Sequence, residues 1–155
     1  MTVDATLIRK YNLSLDEKGS IVVNNTDDLY SAANYIKDFG RNFFQEAITT
    51  VFNEKYRDDI NRAAENALPK MPKFARNSMI EGMFATFLEE AVVNTMNDIG
   101  EVNPDLDPFF AALTLQVNAN IHLSVAGSPI SIAAKAVRIW WKMDKEIEKI
   151  AEEMK

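Results

Sequence analysis

Residues 113–125 read Leu-Thr-Leu-Gln-Val-Asn-Ala-Asn-Ile-His-Leu-Ser-Val, with an apolar residue at every odd position and a polar one at every even position. Strict period-2 alternation predicts a β-strand with one buried face, because successive side chains of a strand point to opposite sides. Leu113, Leu115, Val117, Ala119, Ile121, Leu123 and Val125 are thereby assigned to the core, and a charge placed at Val117 or Ile121 is expected to unfold the domain. The run is about twice the usual strand length. A tight turn at Asn118-Ala119-Asn120 is therefore an equal reading, since pairing 117 with 121, 115 with 123 and 113 with 125 keeps those apolar residues on one face. The even positions, Thr114, Gln116, Asn118, Asn120, His122 and Ser124, carry no Lys, Arg, Asp or Glu. An open sheet face normally uses charge against edge pairing, so this face is a candidate contact surface.

Downstream, Gly127-Ser128-Pro129 reads as a turn, a helix N-cap and a first helical residue. The helix that follows, 129–154, would be about 39 Å long at about 1.5 Å per residue. Its apolar seam is Ile130, Ala133, Val137, Trp140, Ile147, Ala151 and Met154, interrupted by Asp144, which is taken to mark where the helix leaves its own core. Adjacent Trp140 and Trp141 point about 100° apart on a helix, so one can anchor the core while the other sits at a rim. Trp140, Trp141, Asp144 and Ile147 join the even strand positions as candidate interaction residues.

Upstream, Leu7, Tyr11, Leu13 and Leu15, a polar Asp16-Glu17-Lys18-Gly19-Ser20 turn and Ile21-Val22-Val23 predict a hairpin over residues 6–24. Thr26 or Asp27 can cap a helix with inner face Leu29, Ala32, Ala33 and Ile36. Gly40 bends or stops that helix, and Phe43, Phe44, Ala47, Ile48, Val51 and Phe52 resume the same pattern. Ile60, Ala63, Ala64, Ala67 and Leu68 carry a further helix to Pro69. After Pro72, Ile80, Met83, Phe84, Phe87, Leu88, Ala91 and Val92 hold a 3.6-residue period to Ile99-Gly100. An acidic, proline-bounded loop follows over 101–108.

The 155 residues suit one domain spanning 1–155, and the absence of cysteine excludes disulfides, thiolate metal sites and a cysteine nucleophile. The amino terminus lacks a secretory pattern and no apolar run reaches a membrane span, so a soluble cytoplasmic protein is expected. A net charge of −6 argues against nucleic acid and anionic lipid as partners. Glu81, Glu89, Glu90, Asp98, Glu101, Asp105 and Asp107 fall between Asn77 and Ala134, where there is no Lys or Arg, and form a candidate acidic surface.

Catalytic signals are thin. No phosphate loop or nucleophile elbow is present, and a single histidine rules out two-histidine metal motifs. The loop Asn103-Pro104-Asp105-Leu106-Asp107-Pro108 alternates oxygen ligands, but Pro108 and Thr114 stand where a calcium loop needs glycine and glutamate. No metal and no cofactor are assigned. The expected fold is helix-rich α+β: a small antiparallel sheet, made of the N-terminal hairpin and the 113–125 strand or hairpin, packed on three to five helices. The expected role is a noncatalytic interaction or assembly module that recognises another protein or itself through 113–125 and 129–154. Two alternatives are a small-molecule or peptide binder with a Phe/Met-lined pocket between 43–52 and 79–92, and a small acidic inhibitor, of the type carried by mobile elements, aimed at a basic site.

Overall fold

The computed structural model describes residues 3–96, 99, 101–103 and 105–155. Among them the secondary structure is helical: α1 (Ala5–Lys10), α2 (Thr26–Lys55), α3 (Arg57–Ala67), α4 (Lys73–Met96), α5 (Pro108–Val125) and α6 (Pro129–Glu153). The expected α+β fold is overturned, since no strand or sheet occurs among the described residues. The predicted hairpin over 6–24 is reduced to one antiparallel bridge between Leu15 and Ile21. Its turn is real: the Asp16 carboxylate accepts the Lys18 and Ser20 amides, and Gly19 takes φ +79°. Leu7, assigned to the first strand, instead lies in α1, where the Asp4 carboxylate caps the Thr6 and Leu7 amides.

The chain forms two compact units. The first is Met1–Phe43 with Thr95–Ser128, and the second is Phe44–Asn94 with Pro129–Lys155. In the first unit Leu29, Ala32, Ala33 and Ile36 of α2 are buried as their spacing requires, together with Tyr35. The cap differs from expectation: Asn25 Oδ1 accepts the Asp28 amide, and Asp28 returns a carboxylate oxygen to the Asn24 amide. Gly40 does not stop the helix, which runs unbroken from Thr26 to Lys55. Asp38 of α2 receives hydrogen bonds from Lys10 Nζ and from the Tyr11 phenol, tying the end of α1 to α2.

In the second unit the buried residues are Phe44, Ile48 and Phe52 of α2, Ile60 and Ala64 of α3, Ile80, Phe84 and Val92 of α4, and the inner stripe of α6. The Phe52 and Phe84 rings lie 4.6 Å apart, and the Arg57 guanidinium covers both at 5.3 and 4.9 Å. Arg57 also donates to Glu81 at 2.6 Å and to Asn53 at 3.0 Å, so its charge is satisfied at the rim of the aromatic cluster. α6 begins at Pro129 as its turn predicts, but its buried stripe is Ile132, Ala136, Ile139, Met143 and Ile147. The expected seam was therefore off by part of a turn: Ile130 and Val137 are exposed, while Ile147 alone of that set is fully buried. With Ile147 in the core, the division of α6 at half-buried Asp144 does not hold.

Two outcomes are expected. Phe52→Ala removes a fully buried ring from the Phe84–Arg57 cluster and should cost about 3–5 kcal/mol in denaturant unfolding. The Tyr11 hydrogen bond, helped by Lys10, holds the Asp38 carboxyl below its ordinary value of 3.8. Its contribution is thus present above that value and lost as pH falls through the lower folded value. The stability gap between the native chain and Asp38→Asn should narrow as pH falls from above 3.8 to below it, as read in urea titrations.

Candidate functional site

α5 opens where Asp107 caps the helix, its carboxylate accepting the Phe109 amide, with Pro108 in the first turn. Two residues along a helix turn about 200°, so apolar residues at alternate positions divide between opposite faces. Leu115 and Ala119 lie buried with Ala111 and Ala112. Leu113, Val117, Ile121 and Val125 lie on the other side with Phe109 and Phe110, and these six residues are 51 to 66% exposed. Placing Val117 and Ile121 in the core is therefore corrected: both face outward.

The exposed face has an order to it. Phe110, Leu113, Val117 and Ile121, spaced three, four and four apart, run along its centre line, while Phe109 and Val125 lie toward its two edges. The Phe109 and Phe110 rings meet edge to face at 5.8 Å. Apart from His122, which is half-buried, no residue of α5 is ionisable. The patch exceeds what scattered surface apolar residues produce, and such patches mark contact sites.

The even positions do not form the single polar face that a strand would give. Thr114, Asn118 and Asn120 are exposed, whereas Gln116 and His122 are half-buried beside the inner face. The Thr114 hydroxyl donates to the Phe110 carbonyl at 3.0 Å. Thr114 and Asn118 meet Glu101, Asn103, Leu106 and Ala111 around an open hollow of about 220 Å³. A second hollow of about 310 Å³, lined by Tyr30, Asn34 and Lys37, shares Glu101 and Val102 with it. Neither gathers a buried, convergent set of polar groups of the kind a specific small-molecule site needs.

In the second unit α6 exposes a narrower stripe: Ile130, Ala134, Val137 and Trp141. Trp140 is half-buried and stacks on Tyr56 at 5.8 Å, while exposed Trp141 has Lys145 Nζ over its ring at 5.9 Å. Ile147 is 1% exposed and so is unavailable to a partner. The candidate acids are divided between the two units, with Glu81, Glu89 and Glu90 in the second and Glu101, Asp105 and Asp107 in the first. Glu81 pairs with Arg57 and Glu90 with Lys142, Asp107 is a helix cap, and Glu101 and Asp105 belong to the loop before α5. Glu89 is exposed on α4, and Asp98 lies outside the described residues. Among the described residues no group of three His, Asp or Glu side chains could hold a metal. In the Phe-rich segments 43–52 and 79–92, Phe44, Phe52 and Phe84 are buried, with the Phe52 and Phe84 rings in contact. No single helix among the described residues is long and apolar enough to cross a membrane.

No family model, curated protein or solved structure matches the chain.

The outer row of α5 was legible only with the helix in hand. The available signal was Asp107-Pro108, a cap followed by a proline suited to the first turn, directly before an uninterrupted run free of glycine and proline. The two faces separate cleanly by substitution. Leu115→Asp buries an unpaired charge and should abolish the cooperative thermal melt, while Val117→Asp and Ile121→Asp should keep a native helical circular dichroism spectrum and a cooperative transition.

Proposed function

We propose that this protein is a noncatalytic interaction module that docks onto another polypeptide chain through the outer face of α5. The observation that carries this reading is the continuous exposed row of Phe109, Phe110, Leu113, Val117, Ile121 and Val125 on a helix without Lys, Arg, Asp or Glu. Apolar anchors at helical spacing suit an apolar helix or groove on the partner, and two phenylalanines at one end supply the bulky contacts that dominate such interfaces. The nearest acids in sequence, Asp105 and Asp107, are exposed and stand just before the helix, at its Phe109–Phe110 end, so the row itself stays uncharged.

A photoreactive phenylalanine analogue placed at Val117 tests the reading in the cells that make the protein. Irradiation should join position 117 to a polypeptide, either a second copy or another protein, while the same analogue at exposed Glu148 gives no such product. Absence of any polypeptide adduct at 117, with the protein present and folded, would remove α5 as a docking element.

A further inference from the structure

We infer that the occupant of the α5 face is a second copy of the same chain, the two helices crossing antiparallel about a two-fold axis at Val117. This rests on the reading of α5 as a docking helix and goes further by naming the partner. Under such an axis residue i of one copy meets the residue of the other copy for which the two numbers sum to twice 117. Leu113 then meets Ile121 and Val117 meets itself, apolar on apolar, while Phe109 and Val125 come level with each other at the two edges of the seam. Of the other outward positions, Phe110 faces Ser124, small enough to admit its ring, and Thr114 faces Asn120, polar on polar, while Asn118 falls opposite half-buried Gln116. An isologous contact requires this self-complementarity, and a row of residues four apart provides the ridge that packs beside its own copy.

Charge does not oppose this occupant. The chain carries a net −6, so two copies repel wherever their acids approach. The outer face of α5 carries no formal charge, and it is where two such molecules can meet without opposing acids. A lipid surface fits poorly. Interfacial helices set Lys and Arg on their polar flanks to meet anionic headgroups, and no Lys or Arg occurs between Asn77 and Ala134. Area agrees as well: the six exposed side chains offer roughly 600 Å² per copy, about 1,200 Å² for the pair, against the ~1,000 Å² expected of a specific interface.

The test uses the full chain. Sedimentation equilibrium across a dilution series should show a dimer that dissociates on dilution, and Val117→Asp, which sets two carboxylates against each other at the axis, should weaken it about thirtyfold or more. Helical circular dichroism of the variant should match that of the native chain. Mixing Val117→Asp with Val117→Lys should restore dimers, because only at a two-fold axis does a residue meet its own counterpart. The chain has no cysteine, so Val117→Cys adds a direct readout: mild oxidation should link two copies faster at 117 than at an exposed control, Glu148→Cys. A native chain that is monomeric throughout, a dimer indifferent to Val117→Asp, or equal cross-linking at both cysteines would overturn the two-fold pairing. A monomer that still forms adducts with a different protein at position 117 would overturn self-pairing and leave the docking role standing. A monomer that instead floats with phosphatidylcholine–phosphatidylglycerol vesicles, in a way lost in Val117→Asp, would overturn both.

Discussion

The rotation of about 100° per residue along α5 is the constraint from which the character of the first unit follows. A segment written with apolar residues at every second position has one apolar face when extended and two when helical. α5 resolves this by burying Ala111, Ala112, Leu115 and Ala119 and leaving a second row, richer in large side chains, on the outside. The buried row is mostly alanine, so the helix can lie close to its neighbours. The bulk that would ordinarily fill a core, two phenylalanines and four branched aliphatic residues, is kept for the surface. Stability and contact are thus assigned to opposite sides of the same helix.

The second unit shows a different use of apolar side chains. Phe52 and Phe84 face inward, and the cation that covers them, Arg57, is held by Glu81 and Asn53. Arg57 begins α3, directly after the single residue Tyr56 that separates it from α2. The break between those helices thereby places a guanidinium over the aromatic pair. Tyr56 at the same break stacks with Trp140 of α6, so the junction of two helices is also where a third is anchored.

Much of this was legible in the sequence wherever only one period fitted. Leu29, Ala32, Ala33 and Ile36 of α2 mix odd and even positions at helical spacing and cannot share one face of a strand, and the same holds for Ile80, Met83, Phe84 and Phe87 of α4; both sets lie in helices. Residues 113–125 were misread because a spacing of four satisfies both periods: 113, 117, 121 and 125 share a strand face and also follow one another along a helix. The N-terminal segment misled differently, since its turn chemistry at Asp16 and Gly19 was correct but too little chain on either side pairs to make strands. On α6 the helix was right and the stripe was wrong. Ile130, Ala133, Val137 and Trp140 are spaced three and four apart, as are Ile132, Ala136, Ile139 and Met143, and only packing against the rest of the unit selects between them. Contact surfaces were harder to read than cores, because exposure of an apolar residue is a tertiary property.

The alternation in α5 has one more consequence, which concerns the chain when it is not folded. As a helix the segment divides its apolar residues and satisfies its backbone internally. Stretched out, the same residues gather on one side of a ribbon whose other side is uncharged and rich in asparagine. No proline, glycine or charge interrupts positions 109–125, and such segments stack readily into cross-β structure. Helix formation is therefore also a form of protection against misassembly. Once heat or denaturant opens α5, the race is between refolding and intermolecular strand pairing, and the durability of the protein becomes a matter of how seldom that helix unwinds.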